Sequence, residues 1–309
     1  MRIIFMGTPE FALPSLRILL ENGYEVPAVV TAPDKPRGRG QKVSSTPVKD
    51  FAQARKLDIL QPENLRDPGF VHSLKNLNPD LFVVVAFRIL PTEVFSLPPK
   101  GTFNLHASLL PRFRGAAPIQ WAIMRGEKET GVTTFFLKEK VDTGSVLLQA
   151  RVNIGPDETA GQLHDKLAEV GAEIVLQTVR LIELGKAQPR PQDDSRVSLA
   201  PKIFKEDCKV DWSKSAVEVH NLIRGLSPSP CAWTTHRGTT LKIYRSAIGA
   251  REVATPSTGK VVLVNKESLV VSTGEGVISI LELQQEGKRR LEVREFLRGY
   301  TLDEGDKFG

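Results

Sequence analysis

Residues 81–87 read Leu-Phe-Val-Val-Val-Ala-Phe, an unbroken apolar run within a chain of 309 residues. A strand with one wet face alternates polar and apolar positions. A run with no polar position is what a central parallel strand needs, because helices cover it on both faces. The start of the chain supplies such a partner. Arg2 to Met6 is a second short apolar run, read as a buried first strand. Gly7-Thr8-Pro9 then turns, and Pro9 suits the first position of a helix. Phe11, Leu13, Leu16, Leu19 and Leu20 recur at helical spacing before Gly23 stops the helix, and Val26 to Thr31 reads as the next strand. This β-turn-helix-β order predicts an α/β fold with a mostly parallel sheet. The turn lacks GxGxxG, so the glycine cradle for a dinucleotide phosphate is missing and NAD or FAD binding is disfavoured.

Further helices are expected at 46–56, 65–76, 91–95 and 116–125, and strands at 59–60, 102–106, 131–137 and 146–154. Leu163, Leu167, Val170, Ile174, Leu181 and Ile182 mark one face of a long helix that ends near Gly185. From there to about Lys205 the chain is rich in Pro, Gln, Asp, Ser and Arg, a composition that reads as an inter-domain linker. The expected organisation is a first domain over 1–188, a linker over 189–205 and a second domain over 206–309. In the second, short alternating runs at 232–237, 241–246, 259–264, 268–272 and 277–283 suggest a small β-barrel of the OB type. Helices at 216–226 and 293–298 accompany it.

The formal net charge of +6 permits a polyanionic partner without establishing one. The stretch from Asp34 to Lys42 carries Lys35, Arg37, Arg39 and Lys42 around two glycines and no apolar anchor, and is expected to be an exposed, mobile loop. It is either a solvated charge run or an arm whose arginines seek phosphates. Cys208 and Cys231 form no CxxC pair and read as reduced thiols of a cytosolic protein. The N-terminal apolar run is too short for a signal peptide, and no run approaches the ~20 apolar residues of a membrane helix.

Chemistry concentrates after the strand at 102–106. Asn104 and His106 are two residues apart, so both point to the same side of an extended chain. Pro111 and Gly115 then break the regular structure. Strand ends of this kind are where open α/β sheets build active sites, although an Asn or a His there also serves to satisfy nearby backbone groups. The five histidines are scattered and form no HxH or HExxH, so no metal site is expected. A GxSxG elbow and a Walker loop are both missing. Acyl transfer without a covalent intermediate remains. An amide donates to a developing oxyanion, and an imidazole moves protons near neutral pH. Asp142, in an Asp-Thr-Gly loop between two expected strands, is the available carboxylate partner; a plain turn-forming aspartate is the other reading.

Asn104-Leu105-His106-Ala107-Ser108-Leu109-Leu110-Pro111, continued by Arg112-Phe113-Arg114-Gly115-Ala116-Ala117-Pro118, closely resembles the signature of the folate-dependent formyltransferases. The likeness is strongest to the members that act on methionyl-tRNA. Gly7 to Ala12, Pro36 to Lys42, Val141 to Gly144 and Asp211-Trp212 resemble further segments of that family, so the likeness covers nearly the whole chain. It implies a Rossmann-like first domain that binds 10-formyltetrahydrofolate and an OB-like second domain that helps hold tRNA. By the same resemblance Asn104, His106 and Asp142 fall on the catalytic triad. Ser108, Leu109, Leu110 and Pro111 fall on the folate-binding segment, and Arg37, Arg39 and Lys42 on the tRNA-contacting loop. The implied reaction moves the formyl group to the free α-amine of methionyl-initiator tRNA, without metal; the cysteine usage reads as cytoplasmic, and nothing in the sequence demands more than a monomer. One departure stands out. Ala86-Phe87-Arg88-Ile89-Leu90-Pro91 is one residue shorter than the family's usual Ala-Tyr-Gly segment and has no glycine. Rival readings are formyl transfer to a sugar nucleotide or purine precursor, formyl-folate hydrolysis, and a non-catalytic tRNA-binding protein.

Overall fold

A computed structural model describes residues 1–37, 42–249 and 257–309, without the side chains of 36, 37, 42 and 43. The chain forms two compact units. Unit 1 holds Met1–Gly115, Thr130–Val152 and His164–Leu199; unit 2 holds Ala116–Glu129, Asn153–Leu163 and Ala200–Gly309. The units thus differ from the continuous segments 1–188, 189–205 and 206–309 expected from composition. The expected linker is shared between them, with Leu199 the last residue of unit 1 before the chain enters unit 2.

Unit 1 begins with β1 (Arg2–Gly7), α1 (Leu13–Glu21) and β2 (Glu25–Val30), in the expected order. Short strands β3 (Lys35–Arg37) and β4 (Lys42–Ser44) pair antiparallel, so the ends of the basic stretch are strands rather than loop. At its base Asp34 accepts hydrogen bonds from Lys49 Nζ (2.5 Å) and Gln61 Nε2 (2.9 Å). The Lys49 bond, then the Gln61 bond, hold its carboxyl below the usual range. There follow α2 (Pro47–Ala54), β5 (Asp58–Leu60), α3 (Pro68–Asn76), β6 (Leu81–Val85), α4 (Thr92–Phe95) and β7 (Thr102–His106). Thr46 caps α2 and Asp67 caps α3, each accepting from a first-turn N–H. Helix α3 therefore starts at Pro68 and not at Leu65. After α5 (Pro118–Met124) in unit 2 come β8 (Glu129–Phe136), β9 (Val146–Asn153) and α6 (Ala160–Glu183).

The sheet has seven strands in the order β5-β2-β1-β6-β7-β8-β9. Strands β5, β2, β1, β6 and β7 run parallel, and β8 pairs antiparallel to β7. The order reverses between β1 and β6. That reversal opens a crevice at the carboxyl ends of the parallel strands, where such sheets bind ligands. All five residues of β6 are buried, as the apolar run requires. Phe82 and Val84 pack with Ile4, Met6, Phe70 and Leu74 in one cluster, and each large side chain removed from water contributes roughly 1.5–3 kcal/mol. The strand ends at Val85, two residues before the end of the apolar run, because Ala86 turns to φ 48°.

Unit 2 carries α7 (Ala216–Leu226), strands β10 (Ala232–His236), β11 (Thr239–Gly249), β12 (Val261–Val264), β13 (Leu269–Ser272), β14 (Val277–Gln285) and β15 (Leu291–Glu292), and α8 (Val293–Phe296). The six strands form one antiparallel sheet, the separate OB-like domain expected from their short alternating runs. Ser215 and Glu218 close a reciprocal capping box on α7. Val219, Ile223 and Leu226 of α7 then pack on Leu241, Ile243, Val271 and Ile280.

His220 of α7 is also buried. Its Nδ1 lies 3.0 Å from Ser246 Oγ and its Nε2 3.3 Å from the Pro156 carbonyl, with Asp157 and Arg224 the charged neighbours. Burial, the largest effect, pushes the imidazole below its ordinary value. The unfolded chain therefore gains a proton near pH ~6.5 that the folded chain refuses, and stability falls as pH drops below that point. Thermal melts from pH ~7.5 down to ~5 should show a declining Tm, with a shallower decline in His220→Gln. Equal slopes would remove His220 from the account.

Candidate active site

β7 delivers Asn104 and His106 near its carboxyl end, on the same side of the strand. Asn104 is partly exposed and His106 is buried. The imidazole Nε2 sits 2.9 Å from the backbone carbonyl of Phe113. A carbonyl only accepts, so Nε2 carries the hydrogen and Nδ1 is the position that gains and loses a proton. Nδ1 faces Asp142, 3.9 Å from Oδ2. The structure thus brings together His106 and the carboxylate that sequence spacing alone left open. On protonation this separation makes an ion pair of two largely buried groups.

Two local features set Asp142. Its φ is 55°, a left-handed conformation that costs a non-glycine residue on the order of 1 kcal/mol, although aspartate adopts it more readily than most. Its Oδ2 accepts from the backbone N–H of Gly115 at 2.9 Å. Behind it, Gly144 presses against β8. A Cβ at Gly144 would lie 1.5 Å from the Phe136 carbonyl oxygen, so only glycine fits.

Ser108 to Pro111 form the turn after β7. Ser108 Oγ donates to the Arg112 carbonyl at 2.6 Å, and the Ser108 carbonyl accepts from Thr133 Oγ1 at 2.6 Å. The Leu110 N–H donates to Thr133 Oγ1 and its carbonyl accepts from Gln149 Nε2. Ser108 and Leu110 are thus buried and internally bonded, and Leu109 and Pro111 present the partly exposed surface. The Leu110-Pro111 peptide is cis. Arg37 and Lys42 lie on β3 and β4, their side chains outside the described residues, as is Arg39 altogether.

Residues missed in the sequence complete the site. Residues 192–198, expected as linker, run beside 113–114. Ser198 accepts from Phe113 N–H through its Oγ and from Arg114 N–H through its carbonyl, both at 2.9 Å. Gln192 bonds Arg114 and the Asp142 loop. Composition alone hid them, for nothing in a Pro-Gln-Asp-Asp-Ser stretch distinguishes a packed strap from a linker.

The shortened loop after β6 is held by Arg88. Its guanidinium donates to the carbonyls of Pro62 (2.6 Å) and Glu63 (2.9 Å), and burial lowers its pKa. A cleft of about 450 Å³ adjoins it, lined by Asn64, Arg66, Arg88, Ile89, Pro91 and Glu139. Among the described residues no group of three or more His, Cys, Asp or Glu side chains is arranged to hold a metal ion. No described helix is long and apolar enough to cross a membrane.

A Rossmann-like sheet with an amide, an imidazole and a carboxylate gathered beside its last parallel strand defines an α/β enzyme domain of the group-transfer kind. The Formyl transferase family profile matches residues 1–179, and the profile of the Formyl transferase C-terminal domain matches residues 202–301. The chain belongs to the formyl transferase family. It is 50% identical over 313 residues to a protein from Porphyromonas gingivalis W83 named methionyl-tRNA formyltransferase, covering 98% of this chain and 96% of that one. A protein of the same name from Geobacter sulfurreducens is 49% identical, with 100% and 97% covered. Among solved structures, HypX from Aquifex aeolicus in complex with tetrahydrofolic acid matches with a TM-score of 0.66 at 21% identity. That match covers 99% of this chain and half of HypX, and speaks to the fold alone.

Proposed function

We propose that this chain transfers the formyl group of 10-formyltetrahydrofolate to the free α-amine of methionyl-initiator tRNA, acting as a cytoplasmic monomer. The observation that carries the chemistry is the placement of Asp142 beside Nδ1 of His106, with Asn104 two residues away on the same side of β7. The substrate rests on relatives named methionyl-tRNA formyltransferase that match over nearly the whole chain.

In this reading the amine nitrogen attacks the formyl carbon to form a tetrahedral intermediate, and the bond from that carbon to the folate nitrogen then breaks as the C=O re-forms. Asn104 donates its side-chain N–H to the oxygen that gains negative charge. Protonated His106 adds a positive charge there. As the amine loses its proton, the folate nitrogen takes one up, and Nδ1 of His106 with Asp142 is the relay. Leu109 and Pro111 offer the folate an apolar surface. The turn around them, tied down by Thr133 and Gln149, keeps that surface fixed.

The acceptor is tested by offering labelled 10-formyltetrahydrofolate with methionyl-tRNA, free methionine or an amino-sugar nucleotide. Label on methionyl-tRNA alone supports the reading; label on the amino sugar instead would replace it. The loop carrying Arg37, Arg39 and Lys42 supplies phosphate contacts to the tRNA. Arg39→Ala should reduce the salt dependence of tRNA binding by about one phosphate contact. A slope of log affinity against log salt equal to wild type would remove that residue from the interface.

A further inference from the structure

Gln192 has two side-chain N–H donors and one carbonyl acceptor, and all are used. Nε2 donates to the carbonyls of Asp142 and Gly144, both at 2.8 Å. Oε1 accepts from Arg114 Nε at 3.1 Å and Nη2 at 2.6 Å, and Arg114 also reaches Asp194 at 2.8 Å. One amide therefore joins two segments. The first is the Asp142 loop, whose residue 142 carries the left-handed φ of 55°. The second is the turn through Arg114. Arg114 lies between Phe113, whose carbonyl fixes His106 Nε2, and Gly115, whose N–H holds Asp142 Oδ2. The backbone groups that aim the imidazole and the carboxylate thus flank the residue that Gln192 grips. Its other hand holds the carboxylate's own main chain.

We propose that Gln192 is a positioning residue for the acid–base pair, setting the approach of Asp142 to His106 through the Asp142 backbone and Arg114. This rests on the roles assigned above to His106 and Asp142. Gln192 touches neither the reacting atoms nor the carboxylate, so its effect travels through Asp142. A small displacement of a reacting group is enough to cost about 100-fold in rate.

The test is a double-mutant cycle on the whole chain, measuring kcat, KM for both substrates and Tm. Gln192→Met keeps the length and removes every hydrogen bond. Gln192→Glu keeps an acceptor for Arg114 but replaces the donors to the Asp142 loop with a charged oxygen that faces the Asp142 and Gly144 carbonyls. Each is made alone and with Asp142→Asn. The expected result is a fall in kcat of about 10- to 100-fold for each single Gln192 variant, with KM little changed. In the Asp142→Asn background the same changes should cost far less, because the group being positioned is already disabled. Equal losses in both backgrounds, or an unchanged kcat in the single variants, would overturn the inference. A loss of Tm alone, with kcat of the folded protein intact, would also overturn it. If Asp142→Asn itself left kcat unchanged, the reading of the site would fall first, and the inference with it.

Discussion

His106→Ala is expected to lower the rate of formyl transfer by about 100- to 10,000-fold, the scale of losing a general acid–base group. Two features of the structure give this size. Nε2 is committed to the Phe113 carbonyl, so the ring has one orientation and one exchangeable position. That position, Nδ1, faces the only carboxylate paired with it among the described residues, Asp142. Alanine removes the imidazole that Asp142 faces, and with it the nitrogen that relays the proton in the proposed reading. The cavity left behind should cost some stability as well, so the rate is read on protein shown to be folded by its melt. A variant that melts normally and transfers formyl at the wild-type rate would remove His106 from the chemistry.

Asp142→Asn is the second large effect, also expected to cost about 100-fold or more in kcat. Asparagine is nearly the same shape, adopts the left-handed φ readily and can still accept from the Gly115 N–H through its amide oxygen. The loop should therefore stay in place while the negative charge opposite Nδ1 disappears. The proposed reading gives Asp142 a role in the relay and not in holding substrate, so the loss is expected in kcat rather than in KM. A rise in KM with an unchanged kcat would mean that Asp142 binds substrate rather than supporting the imidazole.

The parallel sheet was legible because burial on both faces leaves a signature that no surface strand shares. Leu81 to Val85 and Ile3 to Met6 are buried throughout, as their composition demands. The start of α3 was not legible from apolar spacing alone: Asp67 caps it ahead of Pro68, three residues later than that spacing suggested. Asn104 and His106 were legible as a pair because a strand has a period of two. The partnership with Asp142 was left open by spacing and was implied only by the family resemblance, since it depends on a left-handed turn and on Gly144 packing against Phe136. Neither follows from local spacing. Gln192 and Ser198 were hidden for the opposite reason. Their neighbours have the composition of a solvated linker, and only packing against residues 113–114 and 142–144 gives them work. Arg88 shows how a departure is absorbed. Without the family's glycine, the loop turns at Ala86 and is stapled to the carbonyls of Pro62 and Glu63.

The most direct measurement of the central claim is a single-turnover transfer with formyl-labelled 10-formyltetrahydrofolate and methionyl-tRNA, run on the wild-type chain and on His106→Ala and Asp142→Asn. After hydrolysis of the tRNA ester, the wild type should yield labelled N-formylmethionine, and both variants should form it at least about 100-fold more slowly. Label that stays on the folate with the wild type, or variants that match its rate, would contradict the account.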